Sequence, residues 1–504
     1  MNGVLRLKPL FMPLFLRCSL TMLMTTAAFA ATGCHKAKTG STDVVVIGDR
    51  PKLVDPFAGP PTPADSLLLA NVAQGLIRFD ARGQIDSGLA ERWNVSDDGL
   101  SYIFRVQSAR WPSGREIDAR EIARILNRER RTSSGNALKD TIGAIDEIVA
   151  MTDRVIEIRL KTPRPNLLQL LAQPEFAILH GGEGSGPFSL LPGRPEEPLH
   201  LRRIVPGPDG DQDAREDIDL SGLPAPSAIA RFRSGEADLV VGGTFADLPV
   251  VRGGGGSLPR GALRFDPVAG LFALVPGRAD GPLADQALRS LIARAIDRDA
   301  LVAAFDVDGL APRTTVLQPG LDGLPDPVVP GWAAVTVGQR RAGLVAEADR
   351  MFGGKPEPAL TVSFPAGPGA TLMLNRLAAD LAPLGIHLTP ADDGVAADLR
   401  LLDEVAPSTS PAWFVRRFRC DRVPICDPAI DALSDAARAT PSPQQRAQFL
   451  ALAAQRIDAD QLIIPLTAPI RWSLVSANAL GFVENRFARH TLSGLAIKPT
   501  RDRD

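Results

Sequence analysis

Chemistry in this chain would have to come from its histidines, a few serines and its acidic clusters. The five histidines (His35, His180, His200, His387 and His490) are far apart, and none stands in a metal-ligand spacing such as H-E-x-x-H. In Gly184-Ser185-Gly186 the glycines flank the serine directly, so this is not the G-x-S-x-G elbow that presents a nucleophile. The sequence holds no P-loop and no strand-preceded G-x-G-x-x-G. Neighbouring acids such as Asp97-Asp98 can serve as acid and base, but Ser96-Asp97-Asp98-Gly99 is turn chemistry. The Asp-rich PGPDGDQD (206–213) lacks the ligand spacing and terminal Glu of a calcium loop and reads as a solvated loop. Neither an enzyme, a metal nor a cofactor is expected from these residues.

The four cysteines are tied to the N-terminus. Residues 1–33 read as a signal peptide, with Arg6, Lys8 and Arg17 as positive charge and a largely apolar stretch at 18–30. That stretch is shorter than the roughly 20 residues a bilayer span needs. Ala28-Phe29-Ala30 is a site for ordinary cleavage at Ala30, which gives a soluble periplasmic protein. Ala31-Thr32-Gly33-Cys34 resembles a lipobox, with Ala in place of the usual first Leu, and predicts lipidation of Cys34. Cys18 leaves with the signal on either route. Ordinary cleavage leaves three cysteines, an odd number for an oxidising compartment; lipidation leaves Cys420 and Cys426 as a pair. The count therefore favours the lipid-anchored form. The pair itself reads either as a disulfide or as two reduced, buried thiols, and no further ligand lies at zinc-site spacing.

These residues need a scaffold, and the composition describes one. The chain has 504 residues, 45% hydrophobic and 23% charged, which excludes a largely disordered protein and allows about three domains or two large lobes. Charges balance at 56 Lys+Arg against 58 Asp+Glu, so no global field draws nucleic acid or an anionic membrane surface. DVVVIGD (43–49) is a β-branched run typical of a buried strand, and strand alternation recurs at 100–106 and 155–160. Apolar periodicity predicts helices at 66–75, 118–130, 226–235, 283–294, 337–351 and 443–458. Strands and helices mix throughout, an α/β class without solenoid repeats. Four consecutive glycines at 253–256 mark a flexible loop or linker.

Several segments then fall in a distinctive order. NVAQGLIRFDARGQIDSGLAERWNVSDDGLSYIFRV (71–106) and WPSGREIDAREIARIL (111–126) are followed by GSGPFSL (184–190) and FRSGEADLV (232–240). LADQALRSLIARAIDRDALV (283–302) and LIIPLTAPIRWSLVSANALGFV (462–483) complete the set. This order resembles the family 5 extracellular solute-binding proteins, the dipeptide/oligopeptide-binding proteins of ABC importers. The resemblance implies a two-lobed periplasmic-binding-protein-like fold with a hinge and a discontinuous lobe I, at 43–265 and 460–504, around lobe II at 266–459. It implies hinge closure on a peptide or other small polar solute, and delivery to ABC transporter permease subunits. The setting would be the periplasmic side of a bacterial membrane, touched only through the lipid anchor, with the protein a monomer and no nucleic acid involved.

Site residues follow from the same resemblance. Ser185 and Phe188, in the Gly/Pro-shaped loop, become cleft candidates, whereas Trp93 and Tyr102 lie on apolar patterns that read as core. The family's Trp and its ammonium-binding Asp align with Glu404 and Pro407 in DLRLLDEVAPSTSPAWF (398–414). Pro offers no charge and no donor, so the peptide-ammonium site is missing unless Asp403 or Glu404 replaces it. Trp413 and Phe414 either line the cleft or pack in the core. RCDRVPIC (419–426) falls where relatives carry a cysteine pair, which favours the disulfide. Aromatic content is only 5%, with a single Tyr, which makes a generic peptide cavity less secure. A degenerate member acting as a sensor or scaffold lipoprotein is the alternative.

Overall fold

The computed structural model describes residues 40–131, 133–206, 213–253, 257–353, 357–392 and 395–496. The signal peptide (1–33), the Ala30 cleavage site and Cys34 lie outside the described residues, as do most of the Asp-rich loop and of the glycine run.

The β-branched run forms the strand Ser41–Ile47 in the middle of a seven-stranded sheet. It pairs in parallel with Ala214–Leu223 on one side and Leu239–Thr244 on the other. Where a strand is covered on both faces, successive positions are apolar, as Val44, Val45 and Val46 are. Val45 faces the core shared with a second sheet, while Val44 and Val46 face the core on the other side. The second sheet has five strands, in the order His387–Pro390, Ala359–Ser363, Leu399–Val405, Gly270–Pro276 and Ile464–Thr467. A third, of four antiparallel strands between Ala90 and Leu160, packs its apolar face under the helix Ala119–Glu129. Asp118 starts that helix by accepting a hydrogen bond from the Arg120 amide.

The chain passes between the two larger sheets twice, at 266–269 and at 468–470. Ile464–Thr467 is fully buried in the five-stranded sheet and pairs with Gly270–Pro276. Two adjacent crossing segments are the geometry of a hinge, and the chain forms a two-lobed α/β fold. Beside the passage the Trp472 ring lies flat on Gly243, where a Cβ would come within 2.1 Å of the indole, and its Nε1 donates to the Thr244 carbonyl at 2.8 Å. Only glycine leaves room for that ring.

Candidate functional site

The strand Leu399–Val405 ends at the boundary between the lobes, and the segment that follows meets residues of the first lobe. Gln173, 2% exposed, donates its side-chain Nε2 to the Pro407 carbonyl at 2.7 Å. Its Oε1 accepts from Arg489 Nε at 3.2 Å, and Arg489 Nη2 donates to Glu175 at 2.9 Å. The carboxylate fixes the guanidinium, and the guanidinium fixes which way the amide points. One helical turn earlier, Gln169 Oε1 accepts from the Thr409 amide and hydroxyl at 3.0 and 3.1 Å. Asn166 donates to Asp322 at 2.7 Å and to Thr409 at 3.0 Å, and Thr409 also bonds Asp322. Farther out, Arg422 pairs with Asp140, and Thr162 and Arg164 both donate to the Arg438 carbonyl near the end of the helix Pro428–Ala439.

Two cavities flank this seam. One of about 110 Å³ opens at the carboxyl ends of the parallel strands Ser41–Ile47 and Leu239–Thr244, where Val46 and Gly242 form its floor. Gln74, Gln173, Arg489 and His490 supply its polar wall. The carboxyl end of parallel strands is where open α/β sheets receive ligands, because the chain leaves each strand for a loop there. The other, about 70 Å³, lies between Arg164, Asn166 and Leu170 of the first lobe and Ser408, Trp413 and Arg416 of the second. Among the described residues no group of three or more metal-ligating side chains exists.

A model of the bacterial extracellular solute-binding proteins, family 5, matches residues 84–391, more than half of the chain. This chain belongs to that family. Family 5 proteins are solute-binding receptors rather than enzymes. The chain is 24% identical over 491 residues to the probable di/tripeptide-binding protein 5 of Pseudomonas aeruginosa, covering 84% of this chain and 89% of that one. It is 21% identical to the oligopeptide-binding protein OppA of Bacillus subtilis over 61% of this chain, and that match spans just 63% of the relative's length. Among solved structures, the murein tripeptide binding protein MppA of Escherichia coli superposes with a TM-score of 0.74 at 17% identity, over 92% of this chain and 99% of that one. At that identity the likeness establishes the fold.

Within this family 5 frame the residues singled out from the sequence occupy different places. Asp403 forms a two-oxygen ion pair with Arg471 at 2.9 and 3.0 Å, joining the two large sheets beside the hinge. Burial pushes its carboxyl up from the usual carboxylate range, against the pull of the Arg471 charge. Glu404 is bonded to Arg417. Each of the two acids is thus paired with an arginine. Trp413 borders the smaller cavity, with the Arg417 guanidinium 4.8 Å from its ring centroid, whereas Phe414 is fully buried in the second lobe's core. Phe188 is also a core residue, packed on Val44, Val46 and Leu201 beneath Arg203, and not a cleft one. Burial of an aromatic ring in a well-packed site outweighs its partial exposure in a loop.

Ser185 stands one side chain away from the larger cavity. Its carbonyl accepts from Gln74 Nε2 at 2.6 Å, and Gln74 lines the cavity. The loop around it approaches the end of the helix Pro63–Val72 so closely that a Cβ on Gly184 would lie 2.3 Å from the Val72 carbonyl oxygen. Those glycines are there for backbone contact. Cys420 and Cys426 form a disulfide closing a separation of six residues. Tyr102 is buried, and its hydroxyl donates to the Arg164 carbonyl at 2.9 Å. Gln173, Arg489, Asn166 and Arg164 were not singled out from the sequence: none carries a motif, and the residues they meet across the seam or in the C-terminal segment are far away in the chain.

Proposed function

We propose that this chain is an exported receptor that encloses a small polar solute between its lobes and presents it to the permease of an ABC importer. Lobe I would comprise 40–265 and 471–496 and lobe II 270–467, with 266–269 and 468–470 as the hinge segments. The observation that carries the reading is the Gln173–Pro407 bond, made across the seam at the position where relatives are expected to hold an ammonium anchor. Such a bond forms only when the lobes meet, so it rewards closure, as a hinge receptor requires. It also places a neutral donor where a peptide's ammonium group would need an acceptor. Retention at the membrane by lipidation of Cys34, with the soluble form cleaved at Ala30 as the other outcome, belongs to the same reading.

The side chains that bridge the seam also favour a second reading, a sensor or scaffold lipoprotein that takes up no solute. A thermal-shift screen of peptides, sugars, opines and organic acids separates the two. A shift with any of these classes supports the receptor; a flat response to all of them supports the scaffold.

A further inference from the structure

The smaller cavity has an electrostatic character of its own. Arg416 and Arg164 face it from opposite lobes, together with Ser408, Ser410 and Asn166, and the Trp413 ring closes one side. Among the described residues neither guanidinium has a carboxylate partner, and the Arg416 Nε is buried without a hydrogen-bond partner. Asp140, the acid whose charge reaches Arg416, is already paired with Arg422. Among the described residues Arg164 donates only to the Pro163 and Arg438 carbonyls. Burial and the neighbouring Arg438 hold both guanidinium groups down at about 10, with Arg446 adding to the effect on Arg164 and Arg422 to that on Arg416. Asp322, which bonds Asn166 at the edge of this region, is engaged with Thr409 as well.

A partly buried guanidinium without a counter-ion is costly to hold, and its planar fork matches the two oxygens of a carboxylate. We infer that this cavity is an oxyanion subsite, in which Arg416 and Arg164 take a carboxylate or phosphate group of the solute from the two lobes at once. The inference rests on the receptor reading and names its substrate class as anionic. Hydroxyls of Ser408 and Ser410 stand in the same wall as further donors. An anion seated between the two arginines attracts both lobes, which couples binding to closure.

The test measures thermal shift and calorimetric affinity of the full exported chain with succinate, glutamate and inorganic phosphate, beside uncharged succinamide. At least one anion should raise the midpoint by several degrees while succinamide does not, and phosphate against the carboxylates identifies which oxyanion is preferred. Arg416→Gln should weaken that anion tenfold or more, and Arg416→Lys should restore part of the loss. Without solute, Arg416→Met should leave the midpoint unchanged or raise it, because no ion pair is lost; a purely structural arginine would lower it. Unaltered anion affinity in Arg416→Gln overturns the subsite. Binding of an uncharged or cationic solute with no response to any anion overturns it too, while leaving the receptor reading intact. A flat response to every solute overturns both.

Discussion

Arg471 and Asp403 form an ion pair across the hinge, the arginine on the strand Arg471–Val475 of one sheet and the aspartate on Leu399–Val405 of the other. Both side chains are at most 17% exposed. Removing one partner of such a pair leaves the other charge buried and costs about 3–5 kcal/mol. Arg471→Met should therefore lower unfolding stability by that order in urea titration, and the double variant Arg471→Met/Asp403→Leu should recover much of it. Equal losses in the single and double variants would show that the pair is dispensable.

The Gln173 side chain has a different role, since its bond to Pro407 exists only while the lobes touch. A neutral hydrogen bond of this kind contributes about 1 kcal/mol net. Gln173→Ala should weaken solute binding roughly fivefold and populate a more open form, seen as a larger radius of gyration in X-ray scattering, with little change in unfolding midpoint. A fall in midpoint without a change in affinity would assign Gln173 to core stability instead.

The disulfide lies on the second lobe, just beyond the helix Pro411–Arg416. Closing so short a loop contributes about 2 kcal/mol. Cys420→Ser/Cys426→Ser should lower the midpoint accordingly, and reductant should do the same to the wild type and nothing to the variant.

A pH effect follows from Asp458 on the helix Pro443–Ala459, whose carboxyl burial raises to about 7 while Oδ1 accepts from the Val316 amide at 2.8 Å. The folded state holds a proton that the unfolded chain releases near pH 4. This stabilisation is complete below the unfolded value and is lost as the pH rises through about 7. Asp458→Asn keeps an acceptor for Val316 without ionising. The variant should gain on the wild type by at least about 1 kcal/mol between pH 5 and pH 8, read from denaturation at both. A constant difference would mean that Asp458 ionises normally.

Local signals carried much of the architecture. The run DVVVIGD forms a central strand because three successive valines are buried on its two faces. Asp118, Asp285 and Ser442 cap helices that apolar periodicity had placed. The helix Pro368–Leu381 is not among them, although its opening Pro368 is well suited to a first helical turn. The site was legible as a departure, Pro407 in place of an acid, but not as an arrangement. Gln173 meets Pro407 across 234 residues and Arg489 across 316, and no local pattern records such a meeting. Phe188 misled for the opposite reason, since its loop setting gave no sign that Arg203 and the central strand cover it.

Mass spectrometry of the chain purified from the periplasm, first native and then denatured, shows whether the receptor closes on a small solute. One small solute per chain is expected in the native spectrum, released on denaturation and bearing a carboxylate or phosphate. A chain of bare mass, which then binds none of the peptides, sugars, opines or organic acids offered to it, would contradict that expectation.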